Sequence, residues 1–103
     1  MLRILLVDDE PLELQALRDH VDWNSLGIGH VDTARNGKAA YDCILEQEPD
    51  IVITDVHMPV MDGITLARKI HDLNHHIKII FLSGYDDFSY VQSALQLGAS
   101  DYL

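Results

Sequence analysis

"DIVITDVHMPVMDG", residues 50–63, decides how this chain folds. Its first half runs Ile51, Val52, Ile53, Thr54, an unbroken series of β-branched side chains. Continuous runs of this kind, unlike alternating ones, suit strands covered on both faces, as in a parallel sheet. The run then stops at a lone carboxylate, Asp55, and a proline turn follows. "ILLVDDEP", residues 4–11, repeats the design: apolar through Val7, then Asp8, Asp9 and Glu10. If both runs are neighbouring strands, their acids meet at one edge of the sheet.

The rest of the chain supports a sheet with helices between its strands. "RILLV" (3–7), "HVDTA" (30–34), "DIVIT" (50–54) and "KIIFL" (78–82) read as strands, and "SDYL" (100–103) begins a fifth. The run at 30–34 is the most polar, as an edge strand would be. Helical periodicity starts near Pro11, a residue tolerated at the first helical position, and continues through Leu14, Leu17 and Val21. Further helical patterns cover about 37–47, 63–73 and 86–97, punctuated by Asn36-Gly37, Asp62-Gly63 and Leu97-Gly98. Strand–helix alternation with short loops predicts an α/β fold with right-handed crossovers, and the doubly wound strand order is 2-1-3-4-5. No internal repeat, linker or low-complexity tract interrupts it.

Composition bounds the function. A chain of 103 residues is at most one domain, and 48% hydrophobic residues suffice for a core. Seven basic against seventeen acidic residues give a formal charge of −10, which argues against direct nucleic acid or anionic membrane contact by this segment. No apolar run approaches the roughly 20 residues that cross a bilayer. The start, "MLRILLVDDE", enters a strand directly instead of a secretory segment. The single cysteine, Cys43, cannot form an internal disulfide, which fits a cytoplasmic location, and it reads as a buried structural thiol.

Ligands in open parallel sheets gather at the carboxyl ends of strands where the order reverses. Strands 1 and 3 flank that point, so Asp8, Asp9 and Asp55 share one crevice, with Ser83 at the end of strand 4. Close carboxylates repel, on the order of 4 kcal/mol per pair at an effective dielectric near 20. Relief comes from a proton or from a cation. An oxygen-lined pocket with an open side suits Mg²⁺, whose remaining positions can accept phosphate oxygens. A carboxylate beside such an ion can act as nucleophile in phosphoryl transfer.

Plainer readings exist for each residue. Asp8, Asp9 and Glu10 could simply be helix N-terminal acids favoured by the macrodipole. Ser83 could be a turn residue and Tyr102 a core residue. Pro59, Asp62 and Gly63 read as loop-shaping, and Asp62 already serves the next helix start, so Asp55 is not needed as its cap. Among six histidines, His71 and His75 stand four apart but lack a third ligand, and His75-His76 reads as a solvated loop. Trp23, Leu26 and Ile28 are expected to pack the loop after the first helix.

"LLVDDEP", "ARNGKAA", "PDIVITDVHMPVMDG", "IIFLSGYDDF" and "ALQLGASDYL" together resemble the receiver domain of bacterial two-component response regulators, over all 103 residues. The resemblance implies a flavodoxin-like fold and a signalling switch in place of an enzyme, with only self-phosphorylation and slow self-dephosphorylation. It implies Asp55 as phosphoacceptor, Asp9 as a direct Mg²⁺ ligand, Asp8 acting largely through water, and a metal contact from the His57 backbone carbonyl. Ser83 matches the hydroxyl switch and Tyr102 the aromatic switch. The implied partners are a histidine kinase, a second copy through helix 4 and strand 5, and a C-terminal output domain. "GYDDFSYVQSALQLGASDYL" further resembles regulators whose output is an AraC-type DNA-binding region. The family pattern also expects a lysine and a fifth helix past Leu103, so the domain is read as C-terminally incomplete.

Three competing functions are weaker. A Mg²⁺-dependent phosphohydrolase of haloacid dehalogenase type wants its nucleophile after strand 1 in a D-x-D pattern, whereas the chain reads Asp8-Asp9-Glu10. A nucleotide-binding fold wants a glycine-rich loop after strand 1, which is missing. A phosphorylation-independent interaction module would have no use for the intact acid set.

Overall fold

The computed structural model describes residues 1–56, 58 and 60–82. Its elements run β1 (Leu2–Val7), α1 (Pro11–His20), a 3-10 turn (Asn24–Leu26), β2 (Ile28–Ala34), α2 (Gly37–Glu46), β3 (Ile51–Asp55), α3 (Gly63–Leu73) and β4 (Lys78–Leu82). The four strands form one sheet in the order β2-β1-β3-β4, every pairing parallel. This is the expected order as far as β4. The expected fifth strand (100–103) and the helical pattern at 86–97 lie outside the described residues.

Alternation along each strand sends neighbouring side chains to opposite faces. Leu5, Val7 and Val52 therefore join Ala40 and Ile44 of α2 and Leu66 and Ile70 of α3 in one core. Ile4, Leu6, Ile51 and Ile53 join Leu14 of α1 in the other. Leu66 and Ile70 of α3 are fully buried, each stabilising the fold by about 1.5–3 kcal/mol. These two cores fix α1 on one face and α2 and α3 on the other.

Local chemistry sets the boundaries. Pro11 opens α1, and the backbone leaves the helix at Val21, which is extended. Asn36 caps α2 by accepting from the Ala39 amide at 2.7 Å, and Asp62 caps α3 by accepting from the Thr65 amide at 2.7 Å. The cap expected of Asp62 is thus present. Asp50 lies just before β3 rather than within it. Its carboxylate accepts from the Arg3 amide at 2.8 Å, tying β1 to β3 at the sheet's other end.

Three further expectations need correction. β2 begins at Ile28, two residues before the polar run at 30–34, because Gly27 turns the chain in the left-handed region (φ 83°) and returns it to the sheet. Leu26 does not pack the loop: it is 63% exposed on the 3-10 turn, while Ile28 and Trp23 do meet the α1-side core. Cys43 is half-buried against the α2–α3 core instead of enclosed. Burial, ahead of the nearby Asp32, Glu46 and Asp42 carboxylates, still pushes its thiol pKa up.

Candidate functional site

Because β1 and β3 pair in register with Val7 opposite Thr54, the residues leaving both strands emerge side by side. Asp8, Asp9 and Asp55 each offer a carboxylate oxygen, and these oxygens lie within 4.8 Å of one another. The opening stretch and its twin therefore meet as anticipated. Asp9 and Asp55 are half-exposed, whereas Asp8 is buried, at 9% exposure.

Asp8 is held on two sides. Its amide donates to the Ala34 carbonyl at 3.1 Å, and its Oδ1 accepts from the Glu10 amide at 2.9 Å. Burial pushes its pKa up from 3.8 to about 6, partly opposed by the Glu10 amide and reinforced by Glu13 and Asp9. Two unit charges 4.8 Å apart repel by about 3–4 kcal/mol at an effective dielectric near 20. The donor set is oxygen-only, anionic and compact. It fits a small hard divalent cation, and the repulsion is what such an ion would relieve.

The loop after β3 is folded back on that strand. The Gly63 amide donates to the Val56 carbonyl at 2.8 Å. Met58 is buried in the core and Met61 packs against it. Val60 is 86% exposed and adopts φ 72°, a left-handed conformation that β-branched residues rarely take. Asp62, the α3 cap, has its carboxyl held below the usual range by the Thr65 amide first, then by the Thr65 hydroxyl.

The residue-by-residue expectations divide cleanly. Asp8, Asp9 and Asp55 come together. His57, Ser83, Tyr102, Pro59 and the surface expected around Phe88–Leu95 lie outside the described residues. At the far end of α3, His71 and His75 meet edge to face with ring centroids 6.2 Å apart, and His75 and His76 are tilted against each other at 4.3 Å. His75 and His76 are exposed there, as a solvated loop would be. Sequence reasoning missed the left-handed Val60 and the close approach of Gly37 to Met61, described below.

A parallel doubly wound sheet with an acid cluster where its strand order reverses defines a class: small α/β domains that gather anionic chemistry at one strand edge. The particular family follows from comparison. Residues 4–103 match the response regulator receiver domain, and the chain belongs to that family. The transcriptional regulatory protein YesN of Bacillus subtilis is 41% identical over 103 residues, which is all of this chain but 28% of that protein. The chain thus spans little more than a quarter of that relative. A two-component transcriptional regulator AraC from Clostridium phytofermentans superposes with a TM-score of 0.80 at 39% identity, covering 96% of this chain and 77% of that one. The response regulator TrrA of Thermotoga maritima, solved in complex with Mg²⁺-BeF, superposes with a TM-score of 0.72 at 33% identity, covering 91% of this chain and 81% of that one. The chain is therefore a receiver domain of a two-component response regulator, a signalling domain with transcriptional regulators among its relatives.

Proposed function

We propose that this receiver takes a phosphoryl group onto Asp55 from a phosphohistidine of a partner kinase, and that the modification controls a DNA-binding output region elsewhere in the full protein. The observation that carries the reading is the cluster of three carboxylates at the ends of β1 and β3. Family membership supports it, as does likeness to a regulator captured with Mg²⁺-BeF.

Each residue has a task. Asp55, half-exposed at the crevice mouth, is the nucleophile: its oxygen attacks phosphorus, the P–N bond to the donor imidazole breaks, and the departing nitrogen takes a proton from water. The product is an acyl phosphate. Asp9 and Asp55, with the His57 carbonyl, are the proposed direct Mg²⁺ ligands, and Asp8 acts through water. When bound, the ion supplies positive charge beside the transferring phosphoryl oxygens. Asp8 shapes the pocket from within, since its amide and carboxylate are both anchored. Ser83 is assigned the hydroxyl contact to the phosphoryl group, and Tyr102 the aromatic switch that relays it to the helix 4 and strand 5 surface, a dimer contact. The phosphohydrolase alternative draws no support from the family to which the chain belongs.

The test is direct. Acetyl phosphate with Mg²⁺ should add the mass of one phosphoryl group, and Asp55→Asn should abolish the adduct. An undiminished adduct on Asp55→Asn would sink the assignment.

A further inference from the structure

Gly37 opens α2, one residue after the Asn36 cap, and is no part of the acid cluster. Its backbone does not require glycine, because the left-handed φ values among the described residues belong to Gly27 and Val60. Space requires it. A methyl group on Gly37 would lie 2.6 Å from the Met61 carbonyl oxygen and 2.8 and 2.9 Å from the Met61 Cβ and Cγ. Glycine is a poorer helix former than alanine by up to about 1 kcal/mol, so this position trades helix stability for closeness to the β3–α3 loop.

We propose that Gly37 is a positioning residue for the acid cluster, setting the backbone of Asp55 through Met61 and Gly63. The proposal rests on the functional reading above for its consequence, though not for its geometry. Met61 is followed by the cap Asp62 and then by Gly63, which is buried. A methyl group on Gly63 would run into the Asp55 carbonyl oxygen and lie 3.0 Å from the Val56 Cα. Gly37 thus abuts Met61, and Gly63 abuts the Asp55 backbone, with the Asp62 cap between the two contacts.

The experiment compares Gly37→Ala with Ile4→Val, a fully buried position in the α1-side core, a cluster separate from the one that holds Met58 and Met61. Metal-free NMR spectra are recorded where both variants are folded, followed by Mg²⁺ titrations. Gly37→Ala should shift the Met61, Gly63 and Val56 amides and the Asp55 carbonyl carbon, and weaken Mg²⁺ binding at least threefold. Ile4→Val should lower the melting temperature with neither effect. Shifts that stop at Met61, with Mg²⁺ affinity within twofold of the parent, overturn the proposal. Should Gly37→Ala fail to fold, Val60→Gly decides: the Asp55 and Val56 signals should stay at parental positions, because residue 60 does not set the loop. Their displacement by Val60→Gly overturns the proposal. A parent that binds no Mg²⁺ contradicts the functional reading, and the metal-free spectra then decide the positioning alone.

Discussion

Asp8→Asn should make the metal-free domain more stable at neutral pH, although it removes a member of the acid cluster. The folded Asp8 has its pKa raised from 3.8 to about 6, chiefly by burial. A raised carboxylate pKa means that the folded state binds the proton more tightly than the unfolded state. Stability therefore falls as pH rises from below 3.8 to above 6. Two decades of proton affinity, at about 1.4 kcal/mol each, put the cost of the ionised side chain on the order of 3 kcal/mol. Asparagine keeps the oxygen that accepts from the Glu10 amide and removes the charge. The variant should thus melt several degrees above the parent at pH 7.5 without metal, and the gap should close near pH 4. Mg²⁺ should narrow the gap, since it binds more tightly to the protein that retains the full acid set. Metal affinity should follow the same proton: a ligand-shell group titrating near 6 predicts roughly tenfold weaker Mg²⁺ binding at pH 5 than at pH 7. Thermal melts of both proteins across pH, with and without Mg²⁺, read all of this. An unchanged or lower melting temperature for metal-free Asp8→Asn at pH 7.5 would refute the reasoning.

Three further outcomes follow from packing and capping. Gly63→Ala places a methyl group against the Asp55 carbonyl, so it should cost about 1–3 kcal/mol of overpacking and weaken Mg²⁺ binding, measured by denaturant unfolding and by titration. Ile70→Ala empties a fully buried position between α3 and the sheet and should cost about 2–5 kcal/mol while leaving Mg²⁺ affinity intact in the folded fraction. The Asp62 carboxyl, lowered by the Thr65 amide, should titrate below 3.8 by carbon NMR; its capping contribution is present above that range and lost as pH falls through it.

Much of the architecture was legible because its determinants are local. Unbroken β-branched runs mark buried parallel strands, and a carboxylate ending such a run has little reason to be there unless it faces something. Asp8, Asp9 and Asp55 could thus be brought together from strand order alone. The pKa of Asp8 could not, since burial depends on how α1 and β2 close over it. Val60 was illegible for a related reason: its φ of 72° runs against the preference of a β-branched side chain. Gly37 reads in sequence as ordinary helix punctuation, and only the fold shows that Met61 occupies the space of its missing side chain. Leu26 and Cys43 were misjudged because apolar character predicts an average tendency to bury, not the side of a turn or helix on which a residue falls.

The central claim is that Asp55 carries the phosphoryl group. An acyl phosphate, unlike a free carboxylate, is reduced by borohydride to an alcohol, which converts a modified aspartate to homoserine. The domain treated with acetyl phosphate and Mg²⁺, reduced, digested and sequenced by mass spectrometry, should show homoserine at position 55 and at no other aspartate. Homoserine at position 8 or 9, or none anywhere in a preparation that carries the phosphoryl mass, would contradict the account.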